Sequence, residues 1–318
     1  MFTLGRFPAS EKYCVYVLRK ARWKDSQKAT CPRCNSTNTK RDGWYRSSYQ
    51  KYYCYDCGRS FNDKTGTLFH YSHTTLDKWF LAIYMFFVLW VDCSMREISS
   101  ELSVPYERCY HFIRTMMQLV FIYSILKRTK LKGNVETDEL YKKAGLKRKS
   151  CQAQIRKIGR KPRRRGLKAP KGRGTFEKDF PMVVSMHQRG GATRFDVPIN
   201  RQLLDILCSN VQNGSKLFTD DFPVYDSLPL YGFGHESVNH PDKEHARGDV
   251  HVNNCEGATN LYRIWMLKLM GVNKYNLPAY SKTIELILNS RREISDRGEK
   301  FMQALSYALT PLAETFRQ

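Results

Sequence analysis

Two Cys-x2-Cys pairs, Cys31-Pro-Arg-Cys34 and Cys54-Tyr-Asp-Cys57, constrain this chain more than any other feature. Four thiols so paired can close on one zinc ion as a tetrahedron, and that closure dictates the path of everything between them. Gly58, directly after the second pair, supplies a backbone free to take positive φ, which lets amide groups turn toward thiolate sulfurs. Residues 44–53, Trp-Tyr-Arg-Ser-Ser-Tyr-Gln-Lys-Tyr-Tyr, are rich in the β-forming aromatics that a short ribbon of strands requires. The spacing predicts a zinc ribbon with a structural Zn²⁺ on Cys31, Cys34, Cys54 and Cys57. Cys14, Cys93, Cys109, Cys151, Cys208 and Cys255 lack such spacing and are expected as core thiols.

The 318-residue chain has room for two to three domains. Lysine and arginine total 53 against 30 acids, a net +23, so an anionic polymer is the expected partner. A 42% hydrophobic share excludes a disordered basic tail. The apolar run from Trp79 to Val91 falls short of the ~20 residues of a membrane span, and Met1 to Lys12 has no secretory h-region. The expectation is a cytoplasmic, nucleoid-associated protein with reduced cysteines and no membrane partner.

Fold class reads as multidomain α/β. Residues 1–66 form an N-terminal segment and the ribbon, and 67–130 a helical region. There, Leu76–Trp90 is apolar almost all round, and Ser94–Leu102 leads through Pro105 into Tyr106–Met117, the outline of a helix-turn-helix. Residues 131–275 alternate strands and helices in a mixed sheet, with strands over Asn134–Tyr141, Pro181–Gln188, Ala192–Ile199 and Ser215–Asp221, and a helix starting near Asn254. Residues 276–318 are a C-terminal helical segment, with Arg291–Leu309 as one amphipathic helix. Inside the third region, residues 140–175 hold fifteen lysines and arginines and no acid. Such a run suits a phosphate backbone, with Arg160, Lys161, Arg163, Arg164 and Arg165 at its centre. Arg46 and Lys51 are the basic candidates for DNA contact within the ribbon.

Asp138 closes the strand Val135-Glu136-Thr137-Asp138 and Asp220 closes Leu217-Phe218-Thr219-Asp220. If these strands are neighbours, their carboxylates meet at one sheet edge, and a helix entered through His251–Gly257 can bring Glu256 beside them. Two divalent cations held by hard oxygen ligands, Mg²⁺ or Mn²⁺, suit phosphodiester chemistry because they stabilise both the attacking and the leaving oxygen.

In its ordered motifs the chain resembles the zinc-ribbon DDE transposases of prokaryotic insertion sequences, whose eukaryotic relatives are called Merlin. The motifs are the cysteine pairs, Lys64-Thr65-Gly66-Thr67, Leu76-Asp77-Lys78-Trp79-Phe80, Glu136-Thr137-Asp138-Glu139 and Gly172-Arg173-Gly174-Thr175. They continue with Phe218-Thr219-Asp220-Asp221-Phe222-Pro223-Val224-Tyr225, His251-Val252-Asn253-Asn254-Cys255-Glu256 and Gly271-Val272-Asn273-Lys274. Several are most similar to the archaeal branch. Where many members carry Gly-Gly-Lys after the first Asp-Glu, this chain has Tyr141-Lys142-Lys143-Ala144-Gly145.

The resemblance implies an RNase H-like catalytic domain with Asp138, Asp220 and Glu256 as the triad. It also marks His251 and Asn253 as active-site neighbours that contact phosphate or orient Glu256, with helix capping as the rival role for Asn253 or Asn254. The implied activity is cleavage at an element's terminal inverted repeats and strand transfer into target DNA, by a homodimer or larger assembly on paired ends. The rival functions are a non-catalytic or domesticated zinc-ribbon DNA-binding protein and an RNase H-like nuclease that cuts without joining.

Overall fold

The computed structural model describes residues 10–23, 28–89, 94–146, 156, 174–199, 202–238, 246–269 and 271–309. In chain order its elements are α1 (Glu11–Trp23), β1 (Thr39–Tyr45), β2 (Tyr49–Cys54), β3 (Ser60–Asn62), α2 (Leu76–Ile83), α3 (Met95–Glu101), α4 (Tyr106–Leu126), β4 (Asn134–Tyr141), β5 (Met182–Gln188), β6 (Thr193–Asp196), α5 (Leu203–Asn210), β7 (Lys216–Asp220), β8 (Gly234–Val238), α6 (Asn253–Lys268), α7 (Leu277–Glu293) and α8 (Arg297–Ala308). Two compact units result: Met1–Tyr123 with Ser290–Gln318, and Ser124–Asn289.

In the first unit, β1, β2 and β3 form an antiparallel ribbon in sequence order. Helix α1, absent from the sequence reading, belongs to this unit. Its Arg19 forks onto Asp63 with both Nε and Nη2 at 2.8 Å, Arg22 Nη2 donates to the Thr65 carbonyl at 2.7 Å, and Trp23 meets Tyr52 edge-on at 5.3 Å. Asp63 is fully buried. Removing one partner of a buried pair strands the other charge, so Arg19→Met is expected to destabilise this unit by about 3 kcal/mol. Urea denaturation of the variant against wild type measures it, and a change under 1 kcal/mol would mean that α1 is not held by this pair.

The apolar run seen in the sequence is α2 continued by a π-helical segment, Tyr84–Leu89. Its aromatic rings pack internally: Trp79 stacks on Phe112 of α4 at 3.9 Å, and Phe80 meets Phe301 of α8 at 5.3 Å. Helix α3 starts with a capping box in which Ser94 and Glu97 satisfy each other's backbone amides. The α3–α4 pair matches the expected helical pair, with α4 running on to Leu126. By length and composition α4 could cross a membrane, but Cys109, Phe112, Ile113, Met116, Met117, Leu119 and Val120 are buried in the protein. The single helix expected over Arg291–Leu309 is instead two. Helix α7 ends at Glu293, and α8 starts afresh because Asp296 caps it, accepting from the Glu299 amide at 2.9 Å.

The second unit is a mixed α/β fold on a five-stranded sheet ordered β6-β5-β4-β7-β8. Strands β4, β5 and β6 are antiparallel, whereas β7 and β8 run parallel to β4. One core packs α5 and the segment Pro223–Tyr231 on Val135, Val184, Met186 and Leu217. The edge of β6 is closed by side chains of α7. Glu285 accepts from the Phe195 amide at 3.0 Å, and Asn289 exchanges two hydrogen bonds with the Thr193 backbone at 2.8 and 2.9 Å. These blunt an edge that would otherwise offer free backbone groups.

The Gly271–Lys274 motif clasps the two ends of the basic insertion. The Lys274 amide donates to the Gly145 carbonyl at 2.8 Å, its Nζ to the Phe176 carbonyl at 2.7 Å, and it pairs with buried Asp179 at 3.1 Å. A Cβ on Gly174 would fall 2.2 Å from the Phe180 ring, so this motif glycine is required for close packing. Arg160, Lys161, Arg163, Arg164 and Arg165 lie outside the described residues.

Candidate metal centres and carboxylate site

In the ribbon, all four sulfurs lie within 4.8 Å of one another. Cys31 Sγ is 3.7 Å from Cys57 Sγ, and Cys34 Sγ is 3.6 Å from Cys54 Sγ. A tetrahedron with Zn–S bonds near 2.3 Å has edges of about 3.8 Å, so the thiols fit zinc. Each pair is followed by a left-handed residue, Asn35 at φ 58° and Gly58 at φ 66°. The Cys57 backbone amide, opposed by desolvation and helped by the Cys34 thiol, draws the Cys54 thiol down to about 7. At the hairpin tip, Arg46 takes positive φ and lies over the Tyr45 ring, beside exposed Trp44. Lys51 pairs across the ribbon with Asp42 at 3.1 Å, which partly spends its charge.

The carboxylate site follows from strand register. Glu136 of β4 pairs with Phe218 of β7 in parallel, so two residues further on Asp138 comes beside Asp220. Carboxylate oxygens of Asp138, Glu139 and Asp220 lie within 4.8 Å of one another. That is close to the ~4 Å between opposite ligands of one Mg²⁺, and hard oxygens suit Mg²⁺ or Mn²⁺. Asp221 is exposed and outside this group, while Asp220 Oδ1 accepts from the Phe222 amide at 3.3 Å.

Glu256 sits in the first turn of α6 and is exposed. It is not in the tight group of three, although its charge reaches Asp138. Burial first, then the Asp220 charge, push Asp138 up to about 6; the Glu139 amide and Arg263 oppose this, and Glu256 adds to it. Asn253 is the exposed first residue of α6, and His251 lies just before the helix with Nδ1 3.3 Å from Glu136 Oε1.

Four residues without an assigned role in the sequence reading surround the acids. Glu136 is fully buried, and its oxygens accept from Arg189, Asn254 and Cys255. Buried Tyr225 donates to Glu139 Oε1; burial and the neighbouring acids raise its pKa well above the ordinary value, so it stays protonated. Lys142 is held below the ordinary lysine pKa by burial first and then by the charge of Arg263, which lies two turns beyond Glu256 on α6. Glu136 and Tyr225 stand in sequence motifs that give them no role, Lys142 stands where the chain departs from the Gly-Gly-Lys pattern, and Arg263 has no sequence signal.

The raised Asp138 sets a sign for metal binding. With a folded pKa near 6 against about 3.9 unfolded, the metal-free fold holds a proton that the unfolded chain has lost; its stability therefore falls as pH rises from about 4 to 6. A cation binds the ionised form and must displace that proton below pH 6. Mn²⁺ is thus expected to raise the melting temperature more at pH 7.5 than at pH 5 in differential scanning calorimetry. An equal rise at both pH values would remove Asp138 from the ion's ligands.

The mixed α/β unit gathers three acids on the adjacent strands β4 and β7, in a chain that also carries a four-cysteine ribbon, so the chain holds two groups of side chains that could each take a metal ion. Residues 130–285 match the ISXO2-like transposase domain. A protein in transposable element ISH50 of Halobacterium salinarum is 35% identical over 290 residues, spanning 90% of this chain and 92% of that protein. This chain belongs to the ISXO2-like transposase family. A crystal structure of the Mos1 strand transfer complex aligns with 70% of this chain and 72% of that chain at 13% identity and a TM-score of 0.23, too loose a likeness to support inference.

Proposed function

We propose that this chain is the transposase of an insertion sequence, which binds the element's terminal inverted repeats and cleaves and transfers DNA strands at an Asp138, Asp220 and Glu256 triad. The observation that carries this reading is the register of β4 with β7, which sets Asp138 and Asp220 side by side in a unit of the ISXO2-like family. The strand order, three antiparallel strands followed by two parallel ones, supports an RNase H-like catalytic domain. Divalent cations, when bound, supply the Lewis acidity that activates the attacking oxygen and neutralises charge on the leaving one.

Asp138 and Asp220 would hold the divalent cations, with Glu256 available from the first turn of α6. Glu139, the third acid of the tight group, is held by a hydrogen bond from the Tyr225 hydroxyl. Arg263 and Lys142 form a positive rim suited to a phosphodiester. No covalent enzyme intermediate is required, since the freed 3′-hydroxyl can attack target DNA directly. His251 and Asn253 contact phosphate or the Glu256 turn.

The zinc ribbon, with Arg46 and Lys51, and the α3–α4 helical pair read the element ends. The basic insertion takes target or flanking backbone. The working state is a homodimer or larger assembly on paired ends, in the cytoplasm at the nucleoid. Purified protein incubated with Mg²⁺ or Mn²⁺, a labelled DNA carrying its element's end and a target plasmid tests the reading. Joined products support it. Nicks without joining point to a nuclease, and binding without nicks to a DNA-binding protein that has lost cutting.

A further inference from the structure

We propose that Glu136 is a positioning residue for the triad: by capping α6 from the neighbouring strand, its buried carboxylate fixes where Glu256 stands relative to Asp138. The proposal rests on the triad reading above and adds a residue that touches neither DNA nor ion.

A helix leaves its first backbone N–H groups without intrahelical acceptors, and usually the residue before the helix supplies an oxygen to them. Here that residue is Val252, whose side chain has none to give. The acceptor comes from β4 instead. Glu136 Oε2 takes the Asn254 amide at 2.9 Å and the Cys255 amide at 3.0 Å, the second and third residues of α6. Oε1 takes the Asn254 side-chain amide at 2.9 Å and Arg189 Nε at 2.8 Å, with His251 Nδ1 at 3.3 Å. A carboxylate at a helix N-terminus is favoured twice, by charge-assisted hydrogen bonds and by the helix dipole.

The placement makes this a catalytic matter as well as a packing one. Glu136 and Asp138 are two apart on one strand and so share a face. Cys255, whose amide Glu136 holds, immediately precedes Glu256. One side chain therefore ties the strand that carries the first acid to the helical turn that carries the third. Arg189 backs it: its guanidinium lies over the Phe218 ring of β7 at 4.0 Å, and its Nη2 donates to the His251 carbonyl at 3.0 Å. Strand β7, which carries Asp220, thus joins the same cluster. Glu136 is no ion ligand itself, since it is fully buried and N–H donors occupy both of its oxygens.

The test is Glu136→Gln, which keeps the size but removes the charge and one acceptor. Amide hydrogen exchange on the full metal-free chain is expected to speed up about tenfold or more at Asn254, Cys255 and Glu256, while β4, β5 and β7 stay protected. The Mg²⁺ concentration for half-maximal strand cleavage should rise about tenfold, with Glu136→Asp recovering part of the loss. If Glu136→Gln does not fold, Asn254→Asp, at an exposed position, sets a second carboxylate against Glu136 and should give the same local exchange and the same shift in Mg²⁺ demand. Unchanged exchange in the first turn of α6, or acceleration spread evenly over the sheet, would overturn the proposal. Exchange is read without DNA, so a wild-type chain that never cuts would sink the transposase reading and leave this result standing by itself.

Discussion

Asp220→Asn is expected to abolish nicking and joining together, by about 10³-fold or more, while binding of the element's end is retained. The substitution keeps the shape of the side chain and the oxygen that accepts from the Phe222 amide, so the turn after β7 survives. What it removes is one of the negative charges that converge with Asp138 and Glu139. The same charge helps to raise Asp138, so the metal-free variant should be no less stable than wild type and Asp138 should titrate lower. Lost activity together with preserved stability separates a ligand from a structural residue. Cleavage that persisted at wild-type rates would take Asp220 out of the metal site, and a variant that lost DNA binding as well would show that the acid cluster serves folding instead.

Why the sequence exposed some of this site and hid the rest follows from how far each interaction reaches along the chain. The cysteine pairs are local, and their spacing alone sets four sulfurs at tetrahedral distances. Asp220 is legible because it closes the apolar strand Leu217-Phe218-Thr219, whereas Asp138 does not end its strand as expected: β4 runs on to Tyr141, and Asp138 meets Asp220 from mid-strand through the parallel register of β4 with β7. Glu256 was visible as an acid at a helix start, though not its separation from the tight group. Glu136 stands in a motif that gives it no role, because its partners are Arg189, 53 residues away, and Asn254 and Cys255, 118 and 119 away. The Tyr225–Glu139 bond spans 86 residues. Helix α1 escaped notice for a different reason: only Cys14, Val15, Val17 and Leu18 of it are buried, and it is fixed by Arg19 on Asp63 rather than by a broad apolar face. The break between α7 and α8 turns on one capping aspartate, which an amphipathic pattern does not register.

Stripping zinc is expected to unfold the ribbon and to remove end-specific DNA binding while the second unit keeps its melting transition. The ribbon's core is Ala29, Cys31, Tyr52, Cys54 and Phe61, with Trp23 and Cys57 against it, so three of its members are the proposed ligands themselves. A core this small cannot offset the chain entropy of three short strands, whereas a structural zinc site contributes about 10 to 16 kcal/mol in small zinc-finger peptides. Cys54→Ser or a strong chelator should therefore erase hydrogen-exchange protection in β1, β2 and β3. The basic charge remains, so nonspecific, salt-sensitive binding should persist at reduced affinity, and discrimination between the element's own end and unrelated DNA should vanish. Mn²⁺ should still raise the melting temperature of the second unit, because its carboxylates share no ligand with the ribbon. Protection in the ribbon that survived chelation would assign its stability to packing of α1 through Arg19 and Trp23 and leave the four thiols without a structural ion.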